Sequence, residues 1–407
     1  MMIPSIDLMG GRAVQLRSGR DHVLTSEHDP VELACEFNRY GEVAVIDLDA
    51  ALGKGDNLET IRRILAVCDA RVGGGIRDRK RGEELLRAGA SCIIVGTRAT
   101  PEFLSAFSPE RVIVALDHRS GDVVDSGWTR STGESVEERA ERLTSLCSGF
   151  LVTFVEDEGG MGGFPLAEAE KLRDSIQAPL TVAGGVKDAS DVVAISRAGM
   201  DAQVGMALYT GKLDPAQAVA GSADFEKANL LPTVVEDEKG RVLMLAYSTR
   251  ESLTRALKEG RGIYFSRSRN EIWEKGATSG NTQELLACRL DCDRDAILFT
   301  VRQKGPACHT GSFGCFGRRR FSVYDLYGVL AERKRTMPEG SYSAKLFGDR
   351  KLLLRKIMEE AYEVASAEER QNLVWELADA LFMLSALAVD EGISWREIEA
   401  ELGGRHR

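Results

Sequence analysis

A 25-residue segment near the middle of the chain, residues 291–315, is rich in side chains that bind metals. It combines three acidic residues with three cysteines and one histidine: Asp291, Asp293, Asp295, Cys292, Cys308, Cys315 and His309. On a β-strand, the alternation of the aspartates with Cys292 and Arg294 would place the carboxylates on one face and Cys292 on the other. Carboxylate oxygens suit a hard cation, and thiolates suit zinc. The cysteine spacing is not that of a zinc finger, so an acidic edge strand with unrelated buried cysteines is the alternative.

The composition places these residues in a soluble multidomain protein. A chain of 407 residues predicts two or three domains. A net charge of −10 argues against nucleic acid as a partner. The longest apolar run, residues 377–389, contains Asp379 and is too short to span a membrane. The N-terminus has no signal or transit pattern, so we expect a cytoplasmic protein whose eight cysteines are reduced.

Residues 1–222 alternate β-branched runs with amphipathic helical stretches, a rhythm that predicts βα units and a parallel sheet. The segment also repeats itself. Asp7 in IPSIDLMGGR corresponds to Asp117 in IVALDHRSGD, and the GGIRD sequence at residue 74 corresponds to GGVKD at residue 184, in both cases 110 positions later. A duplicated unit of four βα pairs predicts a (β/α)8 TIM barrel with half-barrel symmetry.

The repeated residues indicate what the barrel would bind. Glycines after a strand let backbone N–H groups approach an anion, so two equivalent phosphate sites are expected, one in each half. Their residues are Gly74, Gly75, Gly96 and Thr97 in the first half, and Gly184, Gly185, Gly205 and Met206 in the second. Asp7 and Asp117 each end the first strand of a half, where they could act as general base and acid on a sugar between two phosphates. Structural aspartates in turns are the alternative.

With these motifs, the segment resembles the histidine-biosynthesis isomerase that converts the phosphoribosyl aminoaldose ProFAR to its ketose PRFAR. The motifs IPSIDLMGGRAVQL, VGGGIR, LDHRSGDVVDSGW and VGMALYTGKL carry the resemblance. It implies that Asp7 is the base and Asp117 the acid of an Amadori rearrangement, assisted by Thr153. Phe154 stands where the family usually has an acidic residue, and Met206 where it usually has arginine. These departures support an alternative in which the barrel binds its ligand without converting it.

Residues 223–318 read as strand, turn, strand and helix, which predicts a separate α+β domain. The sequence SRSRNEIWEKGATSG has the arginines, serines and glycine turn that phosphate binding uses. The candidate substrate-binding residues are Ser266, Arg267, Ser268, Arg269, Trp273, Lys275, Thr278 and Ser279. Trp273 could instead pack in a core.

Together with LDCDRD and GPACHTGSFGC, this sequence closely resembles phosphoribosyl-AMP cyclohydrolase. The resemblance implies zinc on Cys292, Cys308 and Cys315, in a site assembled from two subunits and therefore in a homodimer. It implies magnesium on Asp291, Asp293 and Asp295. Zinc lowers the pKa of a bound water to about 7, as hydrolytic opening of an adenine ring requires. His309 is the expected proton shuttle, and a structural histidine is the alternative; Cys288 is expected in the core.

Residues 319–407 have a helical period. Spacings of three place Glu360 with Glu363, and Glu376 with Asp379, on otherwise apolar helix faces. A divalent cation would remove the cost of burying such carboxylates, whereas a solvated acidic face is the alternative.

This carboxylate pattern resembles the all-α nucleotide pyrophosphohydrolases. PEGSYSAKL and the ending GGRHR point to phosphoribosyl-ATP pyrophosphohydrolase. The resemblance implies Mg²⁺ held on a triphosphate by the four carboxylates, phosphate contacts from Lys345 and Lys356, and dimerisation through the helices.

The three resemblances correspond to consecutive steps of histidine biosynthesis, encoded in reverse order of use. The sequence therefore predicts one enzyme for three steps, acting on phosphoribosyl nucleotides. One alternative is a bifunctional cyclohydrolase and pyrophosphohydrolase with an inactive ligand-binding barrel. A zinc-dependent nucleotide-binding regulator without turnover is the other.

Overall fold

The computed structural model describes the chain except residues 18, 20, 126, 129, 318–320 and 406–407, together with the side chains of residues 404 and 405. The chain divides into two compact units. One runs from Met1 to Gly317, and the other is the helical region that ends at Gly403. The predicted boundary between residues 318 and 319, and the last two residues of the GGRHR motif, lie outside the described residues.

Eight parallel strands close into a barrel in the first unit. Within the described part of residues 1–222, the strands are β1 (Met2–Met9), β2 (Arg12–Arg17), β3 (Asp21–Thr25), β4 (Val43–Asp47), β5 (Ala70–Gly73), β6 (Ile93–Val95), β7 (Val112–Arg119), β8 (Asp122–Asp125), β9 (Arg130–Ser135), β10 (Gly149–Phe154), β11 (Leu180–Ala183) and β12 (Asp201–Val204). The barrel order is β1, β4, β5, β6, β7, β10, β11 and β12, and β12 closes the ring by pairing with β1. The predicted TIM barrel is therefore confirmed.

The remaining strands repeat the half-barrel symmetry. β2 and β3 extend antiparallel from β1, and β8 and β9 extend antiparallel from β7, the first strand of the second half. Helices surround the ring: α1 (Pro30–Asn38), α2 (Leu48–Leu52), α3 (Leu58–Leu65), α4 (Arg79–Arg87), α5 (Pro101–Leu104), α6 (Val136–Leu143), α7 (Leu166–Ser175), α8 (Ala189–Arg197), α9 (Met206–Tyr209) and α10 (Pro215–Ser222). Alternate strand residues face these helices, while Ile94, Ile113, Leu151 and Ala183 fill the barrel interior.

The cyclohydrolase-like region continues the same unit. Its elements are β13 (Leu231–Asp237), β14 (Val242–Ser248), α11 (Arg250–Glu259), β15 (Ile263–Ser266), β16 (Glu271–Glu274), β17 (Gln283–Leu290) and β18 (Ile297–Gln303). β14, β13, β18 and β17 form one sheet in that order, in which β13 and β18 are parallel and the other pairs antiparallel. β15 and β16 form a separate hairpin.

The strand that we predicted for residues 291–295 is wrong. β17 ends at Leu290 and β18 begins at Ile297, so the aspartates lie on the turn between them. Arg294 has a φ of +62°, which a strand does not accommodate, and the Asp291 carboxylate accepts a hydrogen bond from the Ala296 N–H at 3.0 Å. The alternating sequence therefore forms a tight acidic loop.

The second unit is helical: α12 (Val323–Thr336), α13 (Tyr342–Gly348), α14 (Arg350–Ser366), α15 (Arg370–Glu391) and α16 (Trp395–Arg405). Its core is small and apolar, and it is formed by Leu330, Leu346, Leu353, Met383, Ala386 and Val389. The predicted all-α region is confirmed.

Candidate active sites

The barrel mouth brings Asp7, Asp117 and Thr153 together at the carboxyl ends of their strands. Strand periodicity directs all three side chains inward. Asp117 and Thr153 lie opposite each other on the neighbouring strands β7 and β10, and the Asp117 carboxylate is hydrogen-bonded by the side chains of Trp128 and Thr153. The Ser5 hydroxyl donates to Asp7 at 3.0 Å.

A third carboxyl group joins this pair. Burial, together with the charges of Asp7 and Asp117, raises the pKa of Glu158 to about 7. Burial also raises the pKa of both aspartates to about 6. Sequence reasoning missed Glu158 because it lies in the loop after β10, where strand alternation gives no guidance. Its place at the end of the acidic run at residues 156–158, directly before Gly159 and Gly160, was the available signal.

The glycine pairs of the two halves have equivalent conformations. Gly74 and Gly184 have φ values of +94° and +96°, which favour glycine. A Cβ atom on Gly74 would lie 2.2 Å from the Asp47 carbonyl oxygen, and one on Gly184 would lie 2.4 Å from that of Phe154. At each glycine pair the backbone turns directly against the neighbouring strand. The two halves therefore have equivalent backbone turns at the barrel mouth.

The helices after these turns are already capped. Asp78 caps α4 by accepting a hydrogen bond from Arg81, and Asp188 caps α8 by accepting from Ser190 and Asp191. Because these aspartates already accept hydrogen bonds from N–H groups at the helix N-termini, the helices contribute less to anion binding than we expected. The N–H donors must then come from the glycine turns. Gly96 and Thr97 follow β6, while Gly205 and Met206 begin the short helix α9.

The two residues that depart from the isomerase pattern are both buried. Phe154 is 2% exposed and packs against the His118 and Phe164 rings on the helix side of β10. Met206 is 6% exposed at the start of α9. Neither substitution removes the two aspartates or the glycine turns.

The acidic loop of the cyclohydrolase-like region clusters its carboxylates. Asp291, Asp293 and Asp295 each place an oxygen within 4.8 Å of the others. An all-oxygen donor set of this charge fits a hard divalent cation such as Mg²⁺.

Two of the three candidate zinc ligands lie together. The Cys308 and Cys315 side chains are in hydrogen-bonding contact, and Lys275 lies close enough for both thiols to influence its pKa, which burial lowers. A hydrogen bond from the Thr310 hydroxyl at 3.1 Å lowers the pKa of Cys308. Paired thiolates are ligands that suit zinc, and the His309 Nδ1 lies 3.9 Å from the Cys308 sulfur, beside this pair.

Cys292 is not part of this cluster. It is exposed, and among the described residues of this chain its sulfur does not come within 4.8 Å of both Cys308 and Cys315. One chain therefore presents the sulfur ligands in two separate parts. Cys288 is buried in the core, as expected.

The SRSR segment lies exposed on the hairpin of β15 and β16. Arg267 stacks on Tyr247 at 3.9 Å, and Arg269 lies 5.8 Å from the Trp273 ring. Trp273 also packs against Tyr264 at 5.5 Å, so it has the core contact that we gave as the alternative. Ser266, Ser268, Lys275, Thr278 and Ser279 lie on the same hairpin and the turn that follows it.

The helical unit brings its carboxylates together across α14 and α15. Glu360, Glu363 and Glu376 place oxygens within 4.8 Å of one another. Burial raises the pKa values of Glu360 and Glu376, and the charges of Glu363 and Asp379 raise them further. Like charges held this close favour a bound divalent cation. Lys356 is paired with Glu359 at 2.7 Å, and Lys345 lies on α13.

The same two helices expose a broad apolar face. Met358, Tyr362 and Trp375 are 71%, 74% and 65% exposed, with Leu377, Leu381 and Leu384 nearby on α15. By length and composition alone, α15 could cross a membrane, which our sequence estimate of a shorter apolar run did not anticipate. α15 also carries Glu376 of the carboxylate cluster, and an ionisable group at that position is costly within a bilayer.

Three family models match the chain in order. The model described as "Histidine biosynthesis protein" matches residues 1–214, "Phosphoribosyl-AMP cyclohydrolase" matches residues 244–317, and "Phosphoribosyl-ATP pyrophosphohydrolase" matches residues 323–406.

Curated relatives match most of the chain or parts of it. The "Histidine biosynthesis bifunctional protein his7" of Schizosaccharomyces pombe is 34% identical over 366 residues, which cover 86% of this chain and 84% of that protein. The "Histidine biosynthesis bifunctional protein HisIE" of Thermus thermophilus is 43% identical over 45% of this chain and 92% of its own length. The "Histidine biosynthesis trifunctional protein" of Kluyveromyces lactis is 48% identical over 44% of this chain, but the match spans only 22% of that protein.

Proposed function

Because this chain belongs to the histidine biosynthesis protein family, we propose that it carries out three consecutive steps of that pathway. The helical unit hydrolyses phosphoribosyl-ATP to phosphoribosyl-AMP and pyrophosphate. The cyclohydrolase region opens the adenine ring to give ProFAR, and the barrel isomerises ProFAR to PRFAR. The observation that carries the proposal is that each domain retains its own reactive cluster, in the order of the three family matches.

In the barrel, the glycine turns hold the two phosphate groups of ProFAR and centre its sugar over Asp7 and Asp117. Asp117 donates a proton to the ring oxygen, which opens the aminoaldose to an iminium ion. Asp7 then removes the proton from carbon 2 to give an enolamine, and the return of a proton to carbon 1 with formation of the carbon 2 carbonyl gives the ketose. Thr153 orients the Asp117 carboxyl group through their hydrogen bond. Glu158, protonated below a pH of about 7, leaves the mouth with less negative charge.

In the cyclohydrolase region, Cys308 and Cys315 hold zinc together with Cys292 of a second copy. When bound, zinc lowers the pKa of a water molecule to about 7 and so supplies a nucleophile for the adenine ring. His309 moves protons beside the thiolates, and Lys275 balances their charge. Arg267 and Arg269, oriented by their aromatic neighbours, bind the phosphates of the substrate.

In the helical unit, the carboxylates of α14 and α15 hold Mg²⁺, which when bound neutralises charge on the triphosphate. The ligands of this ion are the carboxylates of Glu360, Glu363, Glu376 and Asp379. Lys345 and Lys356 contact the phosphates of the substrate. A second copy of the chain covers the apolar face of these helices, so the protein is a homodimer in the cytoplasm, where ATP-derived substrate is available.

A second candidate is a bifunctional enzyme whose barrel binds its ligand without turnover. The S. pombe relative is named a bifunctional protein, but the barrel of this chain keeps both aspartates and both glycine turns, so the three-step enzyme is favoured.

ProFAR turnover by the full-length protein decides between the two candidates. Wild type should convert ProFAR to PRFAR, whereas Asp7→Asn should lower the rate by at least about a thousandfold while phosphoribosyl-ATP is still carried through to ProFAR. Asp174→Asn, on the exposed surface of α7, is the matched control. Wild type that makes ProFAR but never PRFAR would establish the bifunctional enzyme.

A further inference from the structure

The linker between the barrel and the cyclohydrolase region places a lysine against the acidic loop. The Lys227 ammonium lies 3.1 Å from an Asp293 carboxylate oxygen and 3.3 Å from one of Asp295. It is also 3.8 Å from the Asp224 carboxylate and 3.5 Å from the Asp293 carbonyl oxygen. A single positive charge thus contacts two of the three carboxylates that form the candidate magnesium site.

The linker holds this lysine in a defined position. The Asp224 carboxylate accepts hydrogen bonds from the N–H groups of Glu226 and Lys227, at 3.2 and 3.3 Å. Glu226 pairs with Arg197 of the barrel at 2.6 Å, and Phe225 packs under the Arg250 guanidinium of α11. These contacts attach the residues just before Lys227 to the barrel through Arg197 and to α11 through Arg250.

The acidic loop is attached to the same region of the barrel. The Arg294 guanidinium donates to the carbonyl oxygen of Ser196 in α8, and the Arg294 carbonyl oxygen accepts from the Asp224 N–H at 2.7 Å. Arg294 is the residue with positive φ in the loop, so these contacts hold the turn that clusters the aspartates. Loop, linker and barrel helix thus form one connected structure.

We propose that Lys227 is an internal counter-ion of the acidic loop, which a divalent cation must displace in order to bind. This inference rests on the magnesium site proposed for Asp291, Asp293 and Asp295. A divalent ion needs the same carboxylate oxygens that the ammonium contacts, and the two cations repel each other. Lys227 therefore keeps the loop ordered without metal and weakens its affinity for metal.

The effect should be moderate, because the partners are partly exposed. Lys227 and Asp293 side chains are 49% and 57% exposed, and exposed ion pairs contribute little each. Removing the charge of Lys227 should tighten metal binding by about three- to tenfold at low ionic strength, and the gain should shrink at high salt.

Mn²⁺ binding to the zinc-loaded, full-length protein tests the proposal, with free Mn²⁺ measured by electron paramagnetic resonance. Glu360→Gln and Glu363→Gln together remove the helical site from the titration, and Asp293→Asn with Asp295→Asn identifies the binding that belongs to the loop. In the protein that carries only the two glutamate substitutions, the further change Lys227→Met should tighten Mn²⁺ binding about three- to tenfold. Lys227→Arg in the same protein should leave the affinity nearly unchanged. Lys171→Met, exposed on α7, is the control and should change nothing.

The possible failures are distinguishable. Loop binding that Lys227→Met leaves unchanged or weakens would overturn the counter-ion role alone. If the two aspartate substitutions remove no Mn²⁺ binding, the proposed metal site fails and the inference fails with it.

The wild-type protein offers a second readout that needs no substitution in the linker. Acetylation of Lys227 by an amine-reactive acetyl donor such as acetic anhydride, followed by mass spectrometry, should increase severalfold when Mg²⁺ is added, because the displaced side chain becomes more accessible than the 49% that it has in the ion pairs. Unchanged acetylation at saturating Mg²⁺ would contradict displacement.

Discussion

The buried aspartates at the barrel mouth destabilise the folded barrel when they are ionised. Burial raises the pKa of Asp7 to about 6, which means that the surroundings favour its protonated form. In the unfolded chain an aspartate has a pKa of about 3.9. The folded protein is therefore stabilised by protonated Asp7 below pH 4, and that stabilisation is lost as the pH rises through about 6.

Asp7→Asn should consequently stabilise the protein at high pH while abolishing isomerisation. At pH 8, ionised Asp7 costs on the order of 2–3 kcal/mol, so the melting temperature of the variant should be higher by about 3–6 °C. At pH 4 the two proteins should melt together. Differential scanning calorimetry at both pH values measures this, with Asp174→Asn as the control. An equal gain at pH 4 and pH 8 would show that the effect is not one of ionisation.

Sequence could identify Asp7 and Asp117 because each lies within a repeated motif, near the end of a strand, and follows the two-residue alternation. Glu158 and Lys227 follow no such rule. Glu158 lies on a loop, 41 positions after Asp117, and Lys227 lies on a linker, 66 and 68 positions before Asp293 and Asp295, so only the folded chain brings them to these carboxylates.

Helices α14 and α15 show what spacing can predict. It paired Glu360 with Glu363 and Glu376 with Asp379, and the packing of the two helices brings Glu376 to the first pair, whereas Asp379 is not in the group of oxygens that lie within 4.8 Å of one another among the described residues. The acidic loop shows the opposite case. Its alternating sequence suggested a strand, but aspartate side chains bond readily to their own backbone in turns, and that local tendency prevailed.

Glu363→Gln tests the helical cluster as a metal site. Without metal, the variant should be at least as stable as wild type, because it removes one of several repelling charges. Saturating Mg²⁺ at a hundred times its dissociation constant should stabilise the wild-type helical unit by about 2.7 kcal/mol, and the variant by much less.

Thermal unfolding followed with and without Mg²⁺ measures this difference, and Glu368→Gln, on an exposed part of the chain after α14, is the control. A Mg²⁺-dependent shift of the same size in Glu363→Gln and wild type would exclude Glu363 as a ligand.

At the scale of the molecule, the order of domains could be predicted because each carries its own motifs. That the barrel and the cyclohydrolase region form one compact unit could not. Their contacts join residues some 250 positions apart: the Asn38 amide donates to the Leu286 carbonyl oxygen at 3.2 Å, and Arg289 donates to the Asn38 carbonyl oxygen at 3.0 Å. The barrel thus supports the cyclohydrolase sheet whether or not it turns over ProFAR.

The separation of Cys292 from Cys308 and Cys315 leads to a prediction about assembly. If zinc is held between two copies, each dimer has two sites, and each site takes Cys292 from one chain and the cysteine pair from the other. Dimers of Cys292→Ser alone or of Cys315→Ser alone then have no complete site.

A mixed dimer of the two variants should regain one complete site, because one chain contributes an intact Cys292 and the other an intact cysteine pair. Co-expression with two affinity tags isolates this species, which should contain about half the zinc and show about half the cyclohydrolase activity of wild type. Pyrophosphohydrolase activity, carried by the helical unit, should be equal in all four proteins and reports on folding. No recovery in the mixed dimer would place all three sulfurs in the same chain, and would require the acidic loop to move towards Cys308 when zinc binds.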